Sequence, residues 1–202
     1  ENFILEDNNL VSIKNSKEFI TNKDPDTPTN ALCTSLLQKN RLAFLLKFGI
    51  AYVVQKKGIE KHVMRYPQFF AAKEIRNKID QGKKKGIIWH TQGSGKTALA
   101  YYSLKNLLNY FRLKKKISKY YFIVDRMDLV DQANHEFRSR GLSVHNINSR
   151  KEFANDIKSN AAIHNSEGND EITVINIQKF DNDEKIIQNN DYNLNIQRIY
   201  FI

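Results

Sequence analysis

Residues 86–97 read Gly-Ile-Ile-Trp-His-Thr-Gln-Gly-Ser-Gly-Lys-Thr, and this stretch decides the fold expected for the 202-residue chain. Its first part, residues 86–89, is an apolar run that predicts a short buried strand. The helical spacing of apolar residues that begins at Lys96 predicts a helix from there to Leu113. Between the strand and the helix lies Gly93-Ser94-Gly95-Lys96-Thr97, which is the core of a phosphate-binding P-loop.

The composition of this loop has a direct physical meaning. Glycines let backbone N–H groups turn toward an anion, and the following helix adds its dipole and its free N–H groups. We expect Lys96 to reach the β and γ phosphates of ATP, and the Thr97 hydroxyl to ligate Mg²⁺, so these are the predicted catalytic residues. His90 stands where the first glycine of the full pattern is usual. The other predicted nucleotide-binding residues of the loop are Thr91, Gln92, Gly93, Ser94 and Gly95.

Downstream of the loop, predicted strands alternate with predicted helices. The strands are expected at residues 120–124, 144–147, 171–176 and 196–202, and the helices at residues 96–113, 127–140 and 149–159. This alternation is typical of right-handed βαβ units, so we expect an α/β fold with a mostly parallel sheet. Upstream, apolar spacing predicts helices within residues 31–56 and over residues 67–79, after an irregular first stretch. The chain therefore divides into a linker (1–30), a helical lead-in (31–84) and an α/β domain (85–202).

The overall composition limits the classes of partner. Lys and Arg number 32 against 22 Asp and Glu, and this net charge of +10 attracts polyanions such as nucleic acid, although solvated surface lysines would give the same balance. Cys33 is the only cysteine, so an intrachain disulfide is impossible, which fits the reducing cytoplasm. No apolar run reaches the roughly 18 residues that a membrane span needs, so we expect no membrane partner.

A P-loop enzyme also needs carboxylates to hold Mg²⁺ and to position the attacking water, and they normally follow an apolar strand. Asp125 follows such a strand, but its neighbour is Arg126 rather than a second acid. The position after the last strand, beyond Ile202, is the other possibility, and the residues alone leave both open. The acidic pairs Asp170-Glu171 and Asp183-Glu184 are expected in surface loops. The histidines His62, His135, His145 and His164 have no ligand spacing, so we assign them no role.

Four segments, in this order, resemble motifs of the restriction subunit of type I restriction-modification enzymes. Residues 65–71 resemble the adenine-side segment that precedes the P-loop in that family. Residues 90–97 resemble its motif I, in which His is tolerated at the first position. Residues 124–132 are similar to its motif Ia, and residues 173–180 are similar to the next motif, which ends in Gln-Lys-Phe.

The resemblance implies that residues 85–202 are the first RecA-like domain of a helicase superfamily 2 motor, truncated before motif II. Such a motor is an ATP-driven translocase that pumps double-stranded DNA toward methylation and specificity subunits, while a separate nuclease domain cuts the DNA. Gln68 would then belong to the nucleotide site, and Arg126, Gln178 and Lys179 would contact DNA phosphates. Because the family places Asp-Glu-Ala-His after the last strand, this fragment would bind ATP without turning it over.

Two other classes of function remain open from the sequence. A complete P-loop protein of another class, such as a nucleotide-binding regulator or a kinase, would use Asp125 as its Mg²⁺ ligand. A DNA-binding module with a vestigial P-loop would have no nucleotide affinity. Without the resemblance, Gln68 would be an ordinary glutamine on a helix surface, and Arg126 and Lys179 would be solvated charges.

Overall fold

The structure, a computed structural model, describes residues 3–6, 9–12, 37–91, 93–176 and 196–201. Gln92, Gln178 and Lys179 of the predicted site lie outside these ranges, as does the acidic pair Asp183-Glu184. In chain order the elements are β1 (Phe3–Glu6), β2 (Asn9–Ser12), α1 (Lys39–Phe48), β3 (Ile50–Gln55), β4 (Gly58–Val63), α2 (Tyr66–Asp80), α3 (Lys96–Leu113), β5 (Ile117–Val124), α4 (Met127–Ser139), β6 (Ser143–Asn146), α5 (Arg150–Lys158), β7 (Glu171–Asn176) and β8 (Ile196–Phe201).

The main sheet has four strands in the order β6-β7-β5-β8, and every neighbouring pair is parallel. On β5, Tyr121 is in register with Thr173 of β7 on one side and with Tyr200 of β8 on the other. The order is not the order along the chain, because parallel neighbours need crossover connections, which helices α4 and α5 supply between β5, β6 and β7. The predicted α/β fold with a mostly parallel sheet is confirmed.

Helices cover both faces of this sheet. Neighbouring residues of a strand point to opposite faces, and accordingly Tyr120 belongs to a core cluster with α3 and α4, while Tyr121 packs with Phe153 and Ile157 of α5. The longest helix, α3, has the bounds predicted from its apolar spacing, and its Leu104 and Leu107 are fully buried. Burial of one such leucine side chain stabilises the fold by about 1.5–3 kcal/mol.

The lead-in before the loop is only partly helical: α1 agrees with the prediction of helices within residues 31–56, but the end of that range is a strand. Helix α1 ends at Phe48, and β3 and β4 then form an antiparallel hairpin. Along β3 the buried Ala51 and Val53 alternate with exposed neighbours, which is the two-residue period of a strand. A second hairpin, β1–β2, lies in the stretch that we expected to be irregular.

The predicted buried strand over residues 86–89 is also wrong. The structure assigns no strand there, and the side chains of Ile87 and Trp89 are 94% and 91% exposed. A parallel strand is held by hydrogen bonds to its neighbours, and no described strand pairs with these residues.

Candidate functional site

The loop before α3 has the backbone geometry that its glycines predict. Gly93 and Gly95 have φ angles of 74° and 81°, in the left-handed region that side chains rarely adopt. Gly95 is the residue that caps the N-terminus of α3, and its carbonyl accepts the first helical hydrogen bond, 2.9 Å from the Leu99 nitrogen. A Cβ at Gly95 would lie 2.5 Å from Gln68 Nε2, so a side chain there would be strained at this positive φ and would displace the Gln68 amide from its hydrogen bonds to the loop.

Gln68 joins this loop to α2. Its Nε2 donates to the carbonyl oxygens of Gly95 at 3.0 Å and Ser94 at 3.3 Å, and its Oε1 accepts from the backbone nitrogen of Arg65 at 2.9 Å. The side chain is buried, at 4% exposure, which corrects the alternative that it is a helix-surface glutamine. The structure thus brings Gln68 beside the loop, and its contact with a nucleotide stays a prediction.

The two predicted catalytic residues begin α3. Lys96 is exposed, and it forms no ion pair with any residue in the described ranges 37–91 and 93–176. Thr97 is half-buried, and the first turn of α3 contains no acidic side chain. The positive end of the α3 dipole and the Lys96 ammonium are therefore close together, and both attract an anion to the N-terminus of the helix.

Two buried polar atoms of the loop have no hydrogen-bond partner within the described part of the chain. They are Nδ1 of His90 and Oγ of Ser94. Burial, and secondarily the charge of Lys96, lowers the pKa of His90, so its ring is neutral near pH 7. Unpartnered buried polar atoms are costly in a folded protein, and a bound phosphate ester is a ligand that would offer them partners.

A groove of about 300 Å³ opens beside the loop. Its walls include the glycines Gly93 and Gly95, the Gln68 side chain, and the two arginines Arg65 and Arg140. The volume is at the lower end of the range for small-molecule sites, which is about 300–1,000 Å³. Arg65 and the neighbouring Lys96 make this groove suitable for an anionic ligand, whereas Arg140 is already paired with Glu136.

The other predicted site residue within the described ranges lies at the carboxyl edge of the sheet. Arg126 is the second residue after β5, its side chain is 65% exposed, and its Nε is 3.9 Å from Asp128 Oδ1. Asp125, the alternative Mg²⁺ ligand, is exposed at the same edge. Since Val124 of β5 is in register with Asn176 of β7, the carboxyl ends of these two strands lie side by side.

The structure brings together two of the histidines to which no role was assigned, His145 and His164, in a polar cluster with Asp156 that has Glu171 beside it and that we call the His164 cluster. One ligand atom from each of the first three lies within 4.8 Å of the others. Burial, and secondarily the His164 ring, lowers the pKa of His145. These residues come from three separate segments, so no short spacing could have indicated them.

The pair Asp170-Glu171, expected in a surface loop, is also placed differently. Asp170 immediately precedes β7 and accepts from Lys105 Nζ at 3.1 Å and from Arg112 Nη2 at 2.5 Å. Its side chain is 17% exposed and that of Glu171 is 5% exposed. Asp170 is held by Lys105 and Arg112 of α3, and Glu171 is held by His164, so both carboxylates are largely removed from solvent.

A protein-family model described as "Type III restriction enzyme, res subunit" matches residues 61–202. The chain belongs to this family. Among curated relatives, a Staphylococcus saprophyticus protein named as a type I restriction enzyme endonuclease subunit is 33% identical over 129 residues, which cover 63% of this chain and 12% of the relative. A Methanocaldococcus jannaschii protein, provisionally named as an endonuclease subunit of the same type, is 34% identical over 116 residues, which cover 52% of this chain and 10% of the relative.

These comparisons confirm the resemblance to the restriction subunit that the motifs indicated. The family match includes the P-loop, the whole of the parallel sheet, and helix α2 with Gln68. The chain spans about a tenth of the length of the curated relatives that it matches. Within the described residues, none of the helices has the length and apolar character that crossing a membrane requires.

Proposed function

We propose that residues 85–202 form the ATP-binding part of the DNA-translocating motor of a type I restriction enzyme subunit. One observation supports this most directly. Gly95, whose φ angle is positive, accepts a hydrogen bond from the Gln68 side chain at the N-terminus of α3, next to the exposed Lys96. A glycine-built turn, a helix terminus and an uncommitted lysine together make a phosphate-binding loop.

In this proposal each residue has a defined task. Lys96 neutralises charge on the β and γ phosphates, and the Thr97 hydroxyl holds Mg²⁺. The backbone of Thr91, Gln92, Gly93, Ser94 and Gly95 surrounds the phosphates, and Gln68 keeps the loop in position. When bound, ATP with Mg²⁺ supplies the free energy for movement along DNA.

The DNA contact belongs to the carboxyl edge of the sheet. Arg126 is exposed there, and Gln178 and Lys179 follow the neighbouring strand β7 in the sequence. We propose that these residues contact the phosphates of double-stranded DNA, which would give a use to the net charge of +10. The whole protein would act in the cytoplasm with methylation and specificity subunits, and a nuclease domain elsewhere in the subunit would cut the DNA.

The test is binding of a fluorescent ATP analogue with Mg²⁺ to the full chain. Lys96→Ala should lower affinity by about tenfold or more, because a hydrogen bond to a charged group contributes about 1.5–3 kcal/mol. Lys84→Ala, which removes another exposed lysine, should bind the analogue as the unchanged chain does. Equal affinity of the Lys96 and Lys84 variants would refute the nucleotide site.

The alternative, in which Asp125 is the Mg²⁺ ligand of a different P-loop class, has its own test. Asp125→Asn should leave Mg²⁺-dependent nucleotide affinity unchanged if Asp125 belongs to the DNA-facing edge. The alternative instead expects measurable phosphate release by this chain that Asp125→Asn abolishes. A phosphate-release assay with and without DNA distinguishes them, and such a loss would favour the alternative.

A further inference from the structure

Three consecutive elements of the chain meet at the His164 cluster. His145 lies on the edge strand β6, Asp156 lies in the last turns of α5, and His164 lies in the segment that leads from α5 to β7. Their potential ligand atoms lie within 4.8 Å of one another. Two imidazoles and a carboxylate at this separation are a donor set typical of zinc sites.

The His164 ring is held from both sides. Its Nε2 is 2.7 Å from Asp156 Oδ1, and its Nδ1 is 2.6 Å from Glu171 Oε1. The backbone nitrogen of His164 also donates to the Glu171 carboxylate at 3.0 Å. A histidine that directs one nitrogen to the ligand set and donates from the other to a carboxylate is the usual arrangement of metal-binding histidines.

Asp156 is supported in the same way. Its side chain is 4% exposed, its Oδ2 accepts from the Tyr121 hydroxyl at 2.6 Å, and Lys119 Nζ lies 3.3 Å from Oδ1. Carboxylates that bind metals are commonly fixed by such hydrogen bonds. The carboxylates of Asp156 and Glu171 both contact His164, and Lys119 pairs with the first of them, so the negative charge around His164 favours a cation.

The third donor, His145, is close enough to join the same ion. Its ring stacks on that of His164, with centroids 3.9 Å apart and an angle of 11° between the planes. Ligand atoms around a tetrahedral Zn²⁺ are about 3.3 Å apart, given bonds of about 2.0–2.1 Å. Because a metal ion lies in the plane of each imidazole that binds it, the His145 ring must rotate out of this stack before both rings can bind one ion, and the ligand atoms already lie within 4.8 Å of one another.

We propose that His145, Asp156 and His164 bind one divalent transition-metal ion, with Zn²⁺ as the best match, and leave a fourth position for water. On binding, the metal takes the place of the proton between His164 Nε2 and Asp156 Oδ1, and that proton goes to solvent. The imidazole ligands favour Zn²⁺ over Mg²⁺, which prefers oxygen. The ion would tie β6 to α5 and to the segment before β7, at a site separate from the P-loop.

The experiment titrates the chelator-treated full chain with Zn²⁺ by calorimetry, and with Co²⁺ by visible absorption. We expect one equivalent of Zn²⁺, a tetrahedral Co²⁺ spectrum, and a melting temperature that rises with Zn²⁺ because the ion binds the folded state. His145→Gln should lower Zn²⁺ affinity at least tenfold and remove the rise in melting temperature. His135→Gln, which changes an exposed histidine of α4 outside the cluster, should bind like the unchanged chain.

Glu171→Gln gives a second measurement if the histidine variant loses its circular dichroism spectrum. It alters the carboxylate that faces His164 Nδ1 and that also accepts from the backbone nitrogens of His164 and Asn165, and loss of such a partner commonly lowers metal affinity by about 10–100-fold. Lys96→Ala should bind Zn²⁺ normally, since its loop is a different site. Absence of Zn²⁺ uptake at equimolar concentration, or unchanged affinity in both His145→Gln and Glu171→Gln, would overturn the proposal.

Discussion

Two polar regions of this chain, the P-loop and the His164 cluster, satisfy their polar groups differently. In the loop, Lys96 is exposed, and the buried Ser94 Oγ and His90 Nδ1 have no partner among the described residues. In the cluster, both ring nitrogens of His164 and both oxygens of Asp156 lie within hydrogen-bond distance of partners. The difference shows that the loop is shaped mainly by its backbone, whereas the cluster is shaped by its side chains.

The largest change in folding stability is expected at the buried ion pair that Asp156 of the His164 cluster forms. Lys119 and Asp156 are each 4% exposed, and Lys119 Nζ donates to both the backbone oxygen and Oδ1 of Asp156. Lys119→Met should destabilise the fold by about 3–5 kcal/mol, because it leaves a carboxylate buried without its cation. Chemical denaturation measures this change. Lys158→Met, at an exposed position of α5, should change stability little, and equal losses in both variants would contradict the comparison.

A smaller but more selective effect is expected in the loop. Gly95→Ala and Gly93→Ala both place a side chain at positive φ, which costs about 1–2 kcal/mol. Only the first also places a Cβ 2.5 Å from Gln68 Nε2, whereas nothing lies within 4 Å of a Cβ at Gly93. Gly95→Ala should therefore bind the ATP analogue about tenfold more weakly than Gly93→Ala. Identical affinities would show that contact with Gln68 does not hold the loop.

The smallest effect is expected at the carboxyl edge of the sheet. Arg126→Ala should weaken DNA binding modestly and lower the salt dependence of that binding by about one unit, because one phosphate contact is lost. Arg138→Ala, which removes an exposed arginine near the end of α4, is the matched control. Binding of a fluorescent duplex at several salt concentrations measures both. A sequence-selective loss, or an equal loss in the control, would remove Arg126 from the proposed DNA contact.

The P-loop could be predicted because the residues that define it are contiguous in the sequence. The glycines, Lys96 and Thr97 stand together, and the apolar spacing of α3 continues from them without interruption up to Leu113. The later strands were also predicted well, because each is a short apolar run between helices of clear period. Membership of the family followed from the order of several such segments, and the comparisons agree with it.

The remainder depended on contacts that local patterns do not encode. Residues 86–89 are apolar, but an apolar run does not specify a strand partner, and the structure provides none among its described strands. The hairpin after Phe48 was missed because Ile50 continues the helical spacing of α1 while the two-residue period has only begun. The His164 cluster could not be found, because His145, Asp156 and His164 are brought together only by the packing of β6 and α5.

The exposure of Trp89 has a practical consequence for experiments on this chain. It is the only tryptophan, it is 91% exposed, and it lies immediately before His90 at the start of the P-loop. Fluorescence excited at wavelengths that only tryptophan absorbs therefore comes from this one residue. Its emission maximum should be that of indole in water, and iodide should quench the emission efficiently. Any event that covers residues 86–89 would shift the emission to the blue and protect it, without an added label.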